Sequence, residues 1–280
     1  MRIESSSTGG SLLAPTVPSN HDHHVQAVFS DVLEAVGRAG YASAQEVKEN
    51  APLSETITAA WNHWFTTERT GRYAQTENAQ QLRQDYGELL VQAHESGGYA
   101  APKDFLQSLD ENQLEVVQKV HHLADPIGVA SLTEEGALNL LLPPAAQVDL
   151  NHDGITQSGA ANGLRFPDSN TPLEVVQAWE EATVGMTFGE RMTHEFRMVA
   201  PTLLSNIVLD ENGAYSHHYE PGDPEWRNPR AKPGYSYVQA TQDMLDHLEF
   251  IKPKISRQQY EEQSAFWSKF QGLLEEYGAK

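Results

Sequence analysis

Residues 171–183 read Thr171-Pro172-Leu173-Glu174-Val175-Val176-Gln177-Ala178-Trp179-Glu180-Glu181-Ala182-Thr183, a helix with its own start signal. Thr171 offers a capping oxygen, Pro172 a fixed φ suited to the first helical position, and Glu174 the acid three residues after the cap. Behind them Val175, Val176, Trp179, Ala182 and Thr183 fall on one face at 3.6-residue spacing. The same grammar recurs in both directions along the chain. Thr187 with Glu190 repeats the box before Met192, Phe196 and Val199. Ser131 with Glu134 is spaced as a box ahead of Leu138–Leu142, where Pro143-Pro144 halts the run. Helical periodicity also marks 20–36 (capped by Asn20), 54–69, 76–94, 110–124, 236–251 and 255–277, with Pro253 turning the last two into a helical hairpin. Strand pattern is confined to Ile207-Val208-Leu209 and Ala214–Tyr219 around an Asp-Glu-Asn-Gly turn. The expected fold is mainly α: a multi-helix, bundle-like globular protein with one short β-hairpin. A single helical domain is expected over 20–280, subdividing, if anywhere, near 125–131. Loop-rich zones fall at 143–170 and 210–235, and a Ser-, Thr-, Gly- and Pro-rich stretch at 1–19 reads as a disordered tail.

Composition narrows the chemistry. Of 280 residues, 39 are Asp or Glu and 19 Lys or Arg, a net charge of −20, so nucleic acid and anionic membrane surfaces are expected to repel the chain. There is no cysteine, which removes disulfides, thiolate metal sites and cysteine nucleophiles. No stretch approaches the roughly 18–20 apolar residues of a membrane span, and the first twenty lack an apolar run of signal-peptide length. The expected location is cytoplasmic, or exported without cleavage. Phosphate-cradling glycine motifs are absent.

One segment carries specific chemistry. Asp149-Leu150-Asn151-His152-Asp153-Gly154 sets side-chain oxygens at alternate positions and follows them with glycine. Ca²⁺ takes six to eight oxygens at about 2.3–2.6 Å, and alternate residues of a curling chain can aim several at one point. Gly154 allows the sharp turn that would present the Ile155 carbonyl as the next ligand. Over this dozen residues the chain resembles the EF-hand and its relatives, the dockerin, thrombospondin type 3 and integrin-type calcium loops. The resemblance implies Asp149, Asn151 and Asp153 as side-chain ligands and Ile155 as the backbone ligand. It departs from an EF-hand at the twelfth position, Ala160 where a bidentate Glu belongs, and at the eighth, Thr156, with the aliphatic Ile155 one place early. The missing carboxylate must therefore come from elsewhere. Glu180, at the edge of the apolar face of 171–183, is the expected distal ligand, followed by Asp168 and Glu181. Calcium is expected to be structural and weakly held.

Other candidates are thinner. Thr193-His194-Glu195 starts like a zinc-protease helix, but Met198 stands where the second His belongs. His121 falls on the apolar stripe of its helix and reads as a hydrogen-bonded core histidine. His21-Asp22-His23-His24 would hold metal only adventitiously. Trp61, Trp64, Trp179 and Trp267 read as core anchors. The polar cluster Tyr215, His217, His218, Tyr219, Glu220 and Asp223 offers weak catalytic candidates in His217, His218 and Glu220. A Ser-rich beginning also resembles the export signals of some type III secreted bacterial proteins. The reading that results is a non-enzymatic calcium-binding helical protein acting through a protein partner, or an exported bacterial protein. The alternative is a hydrolase-type enzyme using His217, His218 and Glu220.

Overall fold

The computed structural model describes residues 20–47 and 51–280, so the expected tail at 1–19 lies outside the described residues. The fold is mainly α. In chain order the elements are α1 (Asn20–Glu34), α2 (Leu53–Glu68), α3 (Ala79–Glu95), α4 (Pro102–Ser108), α5 (Glu111–His121), α6 (Glu134–Asn139), β1 (Thr156–Ser158), β2 (Ala161–Gly163), α7 (Leu173–Thr183), α8 (Phe188–Leu204), β3 (Ile207–Leu209), β4 (Tyr215–His218), α9 (Tyr237–Ile251) and α10 (Arg257–Glu276). Among the described residues no helix is long and apolar enough to cross a membrane.

Start signals hold where the cap oxygen has no competitor. Thr187 and Glu190 form both bonds of their capping box. At α7 the cap oxygen is taken: Thr171 Oγ1 donates to Asp168 Oδ1 at 2.8 Å and accepts from the Asp168 amide at 3.0 Å, and the helix starts after Pro172 with no side-chain cap. At α6 the cap is Thr133, which accepts from the Gly136 amide at 2.9 Å, because Ser131 is held in a 3-10 turn over 129–131. Helix α5 stops at His121, sooner than expected, where His122 turns left-handed.

Two apolar cores form. The first gathers Phe29 from α1, Trp61 and Phe65 from α2, Tyr86 and Leu90 from α3, and Val117 and Val120 from α5. Aromatic rings fill it: Phe65 stacks on Tyr73 at 4.4 Å and Trp61 meets Tyr86 edge-on at 4.9 Å. The second joins Trp179 and Ala182 from α7, Met198 and Val199 from α8, Leu248 from α9, and Phe266, Trp267 and Phe270 from α10. All four tryptophans expected as anchors are buried. The cores differ in polar satisfaction. Trp61 Nε1 donates to the Arg83 carbonyl at 2.8 Å, whereas the buried Trp179 Nε1, Trp267 Nε1 and His194 Nδ1 of the second core have no hydrogen-bond partner among the described residues.

The buried residues of the first core end at Val148, with Leu150 packed against it, and those of the second begin at Phe166, which leaves a seam within 151–165. Residues 125–131 remain with the first core because Ile127 and Val129 pack onto it. The expected hairpin pairs β3 with β4 antiparallel, with an irregularity at Val208/Leu209. A second hairpin, β1 with β2, has no counterpart in the sequence reading; its strands are three residues each, too short to show a period.

Candidate functional site

The 149–155 segment folds as a closed polar crook at the seam. The Asp153 amide donates to Asn151 Oδ1 at 2.9 Å and lies 3.2 Å from Asp149 Oδ1, while Asp149 Oδ2 accepts the Gly154 amide at 2.9 Å. Asp153 Oδ1 accepts the Ile155 amide at 2.7 Å, and its Oδ2 accepts from Asn151 Nδ2 at 2.9 Å. These are Asx turns, in which a short side chain bonds the backbone two or more residues on. They bring Asp149, Asn151 and Asp153 together. Two left-handed residues close the curve, His152 at φ 58° and Gly154 at φ 84°. The Ile155 side chain is buried and pins the exit of the crook.

Both halves of the chain hold this crook. From the first, Glu135 and Asn139 lie one helical turn apart on α6 and act as surrogate strand partners. Glu135 Oε2 accepts the Leu150 amide and Oε1 the Gln157 amide, each at 2.8 Å. Asn139 accepts from the Val148 amide at 2.8 Å and donates to the carbonyls of Val148 and Gln157 at 2.7 and 2.6 Å. From the second half, Trp226 Nε1 donates to the Asp153 carbonyl and Asn228 Nδ2 to the His152 carbonyl, each at 2.9 Å. Ser169 Oγ accepts the Asp149 amide at 2.9 Å. Sequence reasoning missed Glu135, Asn139, Trp226 and Asn228. The only available signal was an acid and an amide four residues apart on α6, with a second acid, Glu134, beside the first.

Electrostatics concentrate here. Burial pushes the Glu135 carboxyl up to about 7, against the Gln157 and Leu150 amides that favour its ionised form; Asp149 and Asp153 push it further up. Burial likewise raises Asp149 to about 6, opposed by the Gly154 amide and reinforced by Asp153 and Asp168.

Each of the expected distal ligands has a partner outside the crook. Glu180 does seek a partner, as its edge position requires, but finds His23 of α1 at 2.5 Å. Asp168 pairs with the enclosed Arg230 at 2.9 Å, and Glu181 accepts from Tyr277 at 2.8 Å. Among the described residues no group of three or more His, Cys, Asp and Glu side chains is disposed to hold a metal ion. The donor set at the crook is hard oxygen, as calcium demands; Asp149 Oδ2 accepts both the Gly154 amide and Asn170 Nδ2, while Asp149 Oδ1 accepts one N–H and retains a second lone pair. It supplies the side chains of Asp149, Asn151 and Asp153, without a bidentate carboxylate.

His121 is the hydrogen-bonded histidine expected: Nε2 lies 3.1 Å from the Leu140 carbonyl and Nδ1 3.1 Å from the Gln147 amide nitrogen, which fixes a neutral ring with its proton on Nε2. On β4, His218 bridges Tyr215 Oη at 2.7 Å and Glu220 at 2.6 Å. His217 belongs to a separate pair, 3.1 Å from Ser216 Oγ and edge-on to Tyr219, so the two imidazoles do not converge; every residue of the strand is exposed. The side chain of His21 lies outside the described residues. Compared with protein-family models, curated proteins and solved structures, the chain matches none.

Proposed function

We propose that this protein is a non-enzymatic, calcium-binding interaction protein in which the ion stiffens the 149–155 crook. The observation that supports this reading is the convergence of Asp149 and Asn151 on the Asp153 amide, with Asn151 also donating to Asp153 Oδ2, in a segment held by both halves of the chain. Asp149, Asn151 and Asp153 would hold calcium with the Ile155 carbonyl and water. Burial is the main cause that raises Asp149 and Glu135, and the ion would offset the smaller share that comes from neighbouring carboxylates. A site without a bidentate carboxylate belongs with loops of about 10⁻⁴–10⁻³ M affinity, which suits an exported protein meeting millimolar calcium. At tenfold excess over such a Kd, binding adds about 1.4 kcal/mol of stability. Thermal melting in millimolar calcium and then in chelator tests this. A rise of a few degrees that disappears in Asp153→Ala supports the reading, and coincident curves remove it.

The hydrolase alternative draws support from the Tyr215–His218–Glu220 chain of hydrogen bonds. Against it stand the separate engagement of His217 and the open setting of the strand.

A further inference from the structure

Asparagine followed by glycine occurs at Asn162-Gly163 and at Asn212-Gly213. The side-chain carbonyl carbon of such an Asn can be attacked by the next backbone nitrogen, and glycine has no Cβ to shield that nitrogen. The fold treats the two pairs differently. Asn162-Gly163 lies within β2, in register with Gln157 and Thr156 of β1. That hairpin is bolted to the first core. Glu135 accepts the Gln157 amide at 2.8 Å, Asn139 donates to the Gln157 carbonyl at 2.6 Å, and the Gly159 amide donates to the Gly136 carbonyl at 2.9 Å. Asn212-Gly213 instead forms the tip of β3–β4. There the Gly213 amide donates to the Asp210 carbonyl at 3.0 Å and Gly213 is left-handed at φ 78°, a turn followed by a glycine bulge. Asp210 Oδ1 accepts the amides of Asn212 and Ala214 at 2.8 and 2.9 Å. Every residue from 209 to 218 is exposed, and the Asn212 side-chain amide has no hydrogen-bond partner among the described residues. Nothing lies within 4 Å of where a Gly213 Cβ would stand.

We propose that Asn212 is a self-modification site, converting to aspartate and isoaspartate through a cyclic imide with Gly213, and that isoaspartate there opens the β3–β4 hairpin. Attack requires the Asn212 backbone to rotate, which breaks the turn bonds to Asp210; all of them are exposed, so water replaces them and local opening is cheap. The Gly213 backbone nitrogen then attacks Asn212 Cγ. A C–N bond forms, the proton on that nitrogen passes to solvent, and the side-chain nitrogen leaves as ammonia. Water opens the resulting five-membered imide. Cleavage between the nitrogen and Cγ gives aspartate; cleavage between the nitrogen and the main-chain carbonyl carbon gives isoaspartate. One water is consumed, one ammonia is released, and nothing is oxidised or reduced. Isoaspartate routes the chain through the former side chain and adds one backbone carbon to a turn whose register rests on Asp210. The new carboxylate also stands beside Asp210 and Glu211, which repel it. A two-stranded hairpin is marginal by itself, and this one is already irregular at Val208/Leu209. The inference is independent of the calcium reading.

Incubating the full chain for several weeks at pH 7 and at pH 9, with peptide mapping by mass spectrometry, tests the conversion. Asn212 is expected to gain the mass of an amide-to-acid change at least about tenfold faster than Asn162, whose ladder must open first. The rate should be higher at pH 9, because the attacking nitrogen must shed its proton. Asn212→Gln would require a six-membered ring and should slow conversion at this position about tenfold or more. Melting curves confirm that this variant folds. An Asn212 that stays intact, or an Asn162 that converts as fast, overturns the proposal. The second claim is read by amide hydrogen exchange over residues 207–218 on the isoaspartate form, separated by chromatography. That form should exchange at least about tenfold faster than the unmodified chain. Asn212→Asp carries the charge without the extra backbone carbon and should stay within about threefold of the unmodified chain. Equal exchange in the isoaspartate and unmodified forms overturns the opening of the hairpin. Exchange in Asn212→Asp as fast as in the isoaspartate form overturns the lengthened backbone as its cause.

Discussion

The Trp226 indole N–H donates to the carbonyl of Asp153 at 2.9 Å, joining residues that are 73 positions apart. The bond fixes the tip of the polar crook to the second half of the chain, while Glu135 and Asn139 fix its ends to the first.

Trp226→Phe keeps most of the ring and removes the donor. Loss of one half-buried hydrogen bond should cost about 1 kcal/mol in urea unfolding. It should also weaken the calcium-dependent melting shift, because the Asp153 backbone loses its anchor. A variant with wild-type stability and an unchanged shift would show that the bond does not position the crook.

Three glycines separate backbone strain from crowding. Gly97, at φ 77° with nothing near its would-be side chain, should lose about 1 kcal/mol on Gly97→Ala. Gly154→Ala adds crowding to the same kind of strain, since its Cβ would sit 3.0 Å from Asn228, and should cost about 2–3 kcal/mol. Gly136→Ala would drive a methyl group into the Gly159 carbonyl, backbone that cannot swing aside, with a comparable loss. Chemical denaturation ranks the three; Gly97→Ala as the most damaging would refute the ordering.

Burial holds the His121 pKa at about 3, against an ordinary 6.5, with Arg72, Arg165 and His122 adding to the depression and the Leu140 carbonyl opposing it. As pH falls below about 6.5 the unfolded chain takes up a proton that the folded ring refuses. This site therefore removes up to about 1.4 kcal/mol of stability per pH unit on descent toward pH 3. His121→Asn should flatten that part of the profile. Urea titrations at pH 7, 6 and 5 give the difference between the two proteins, and a constant difference would mean the ring titrates normally.

The His23–Glu180 pair works in the opposite sense. The hydrogen bond to Glu180 raises the His23 pKa, with burial opposing it. Its stabilisation is therefore complete below the unfolded-state value near 6.5 and is lost as pH rises through the raised folded value. Glu180→Gln should lower the melting temperature at pH 6 more than at pH 8.5 while leaving the calcium-dependent shift intact. A shift abolished by Glu180→Gln would restore Glu180 as the distal calcium ligand.

Local grammar made the helices legible. Spacing of apolar residues fixed their number and faces nearly throughout, and α4, a seven-residue helix with Pro102 at its first position, is too short for that signal. The curl before Gly154 was legible too, though read as a calcium loop; that Asp149, Asn151 and Asp153 bond backbone within five residues of themselves was seen only in the structure. Thr187 capped as its spacing required, whereas the Thr171 hydroxyl was captured by Asp168. That Glu180 would need a partner followed from its place on the helical wheel; that the partner is His23, 157 residues away, did not.

By itself, then, the sequence determined the mainly helical fold, the buried tryptophans and the polar turn before Gly154, since each rests on interactions between near neighbours in the chain. Tertiary structure alone decided where the two cores part, which carboxylate supports the turn, and which apolar stripe of α8 is left facing solvent. Those outcomes depend on which distant surfaces meet, and a helix with two apolar sides, or an acid inside an apolar helix, carries no local mark of the neighbour it will find.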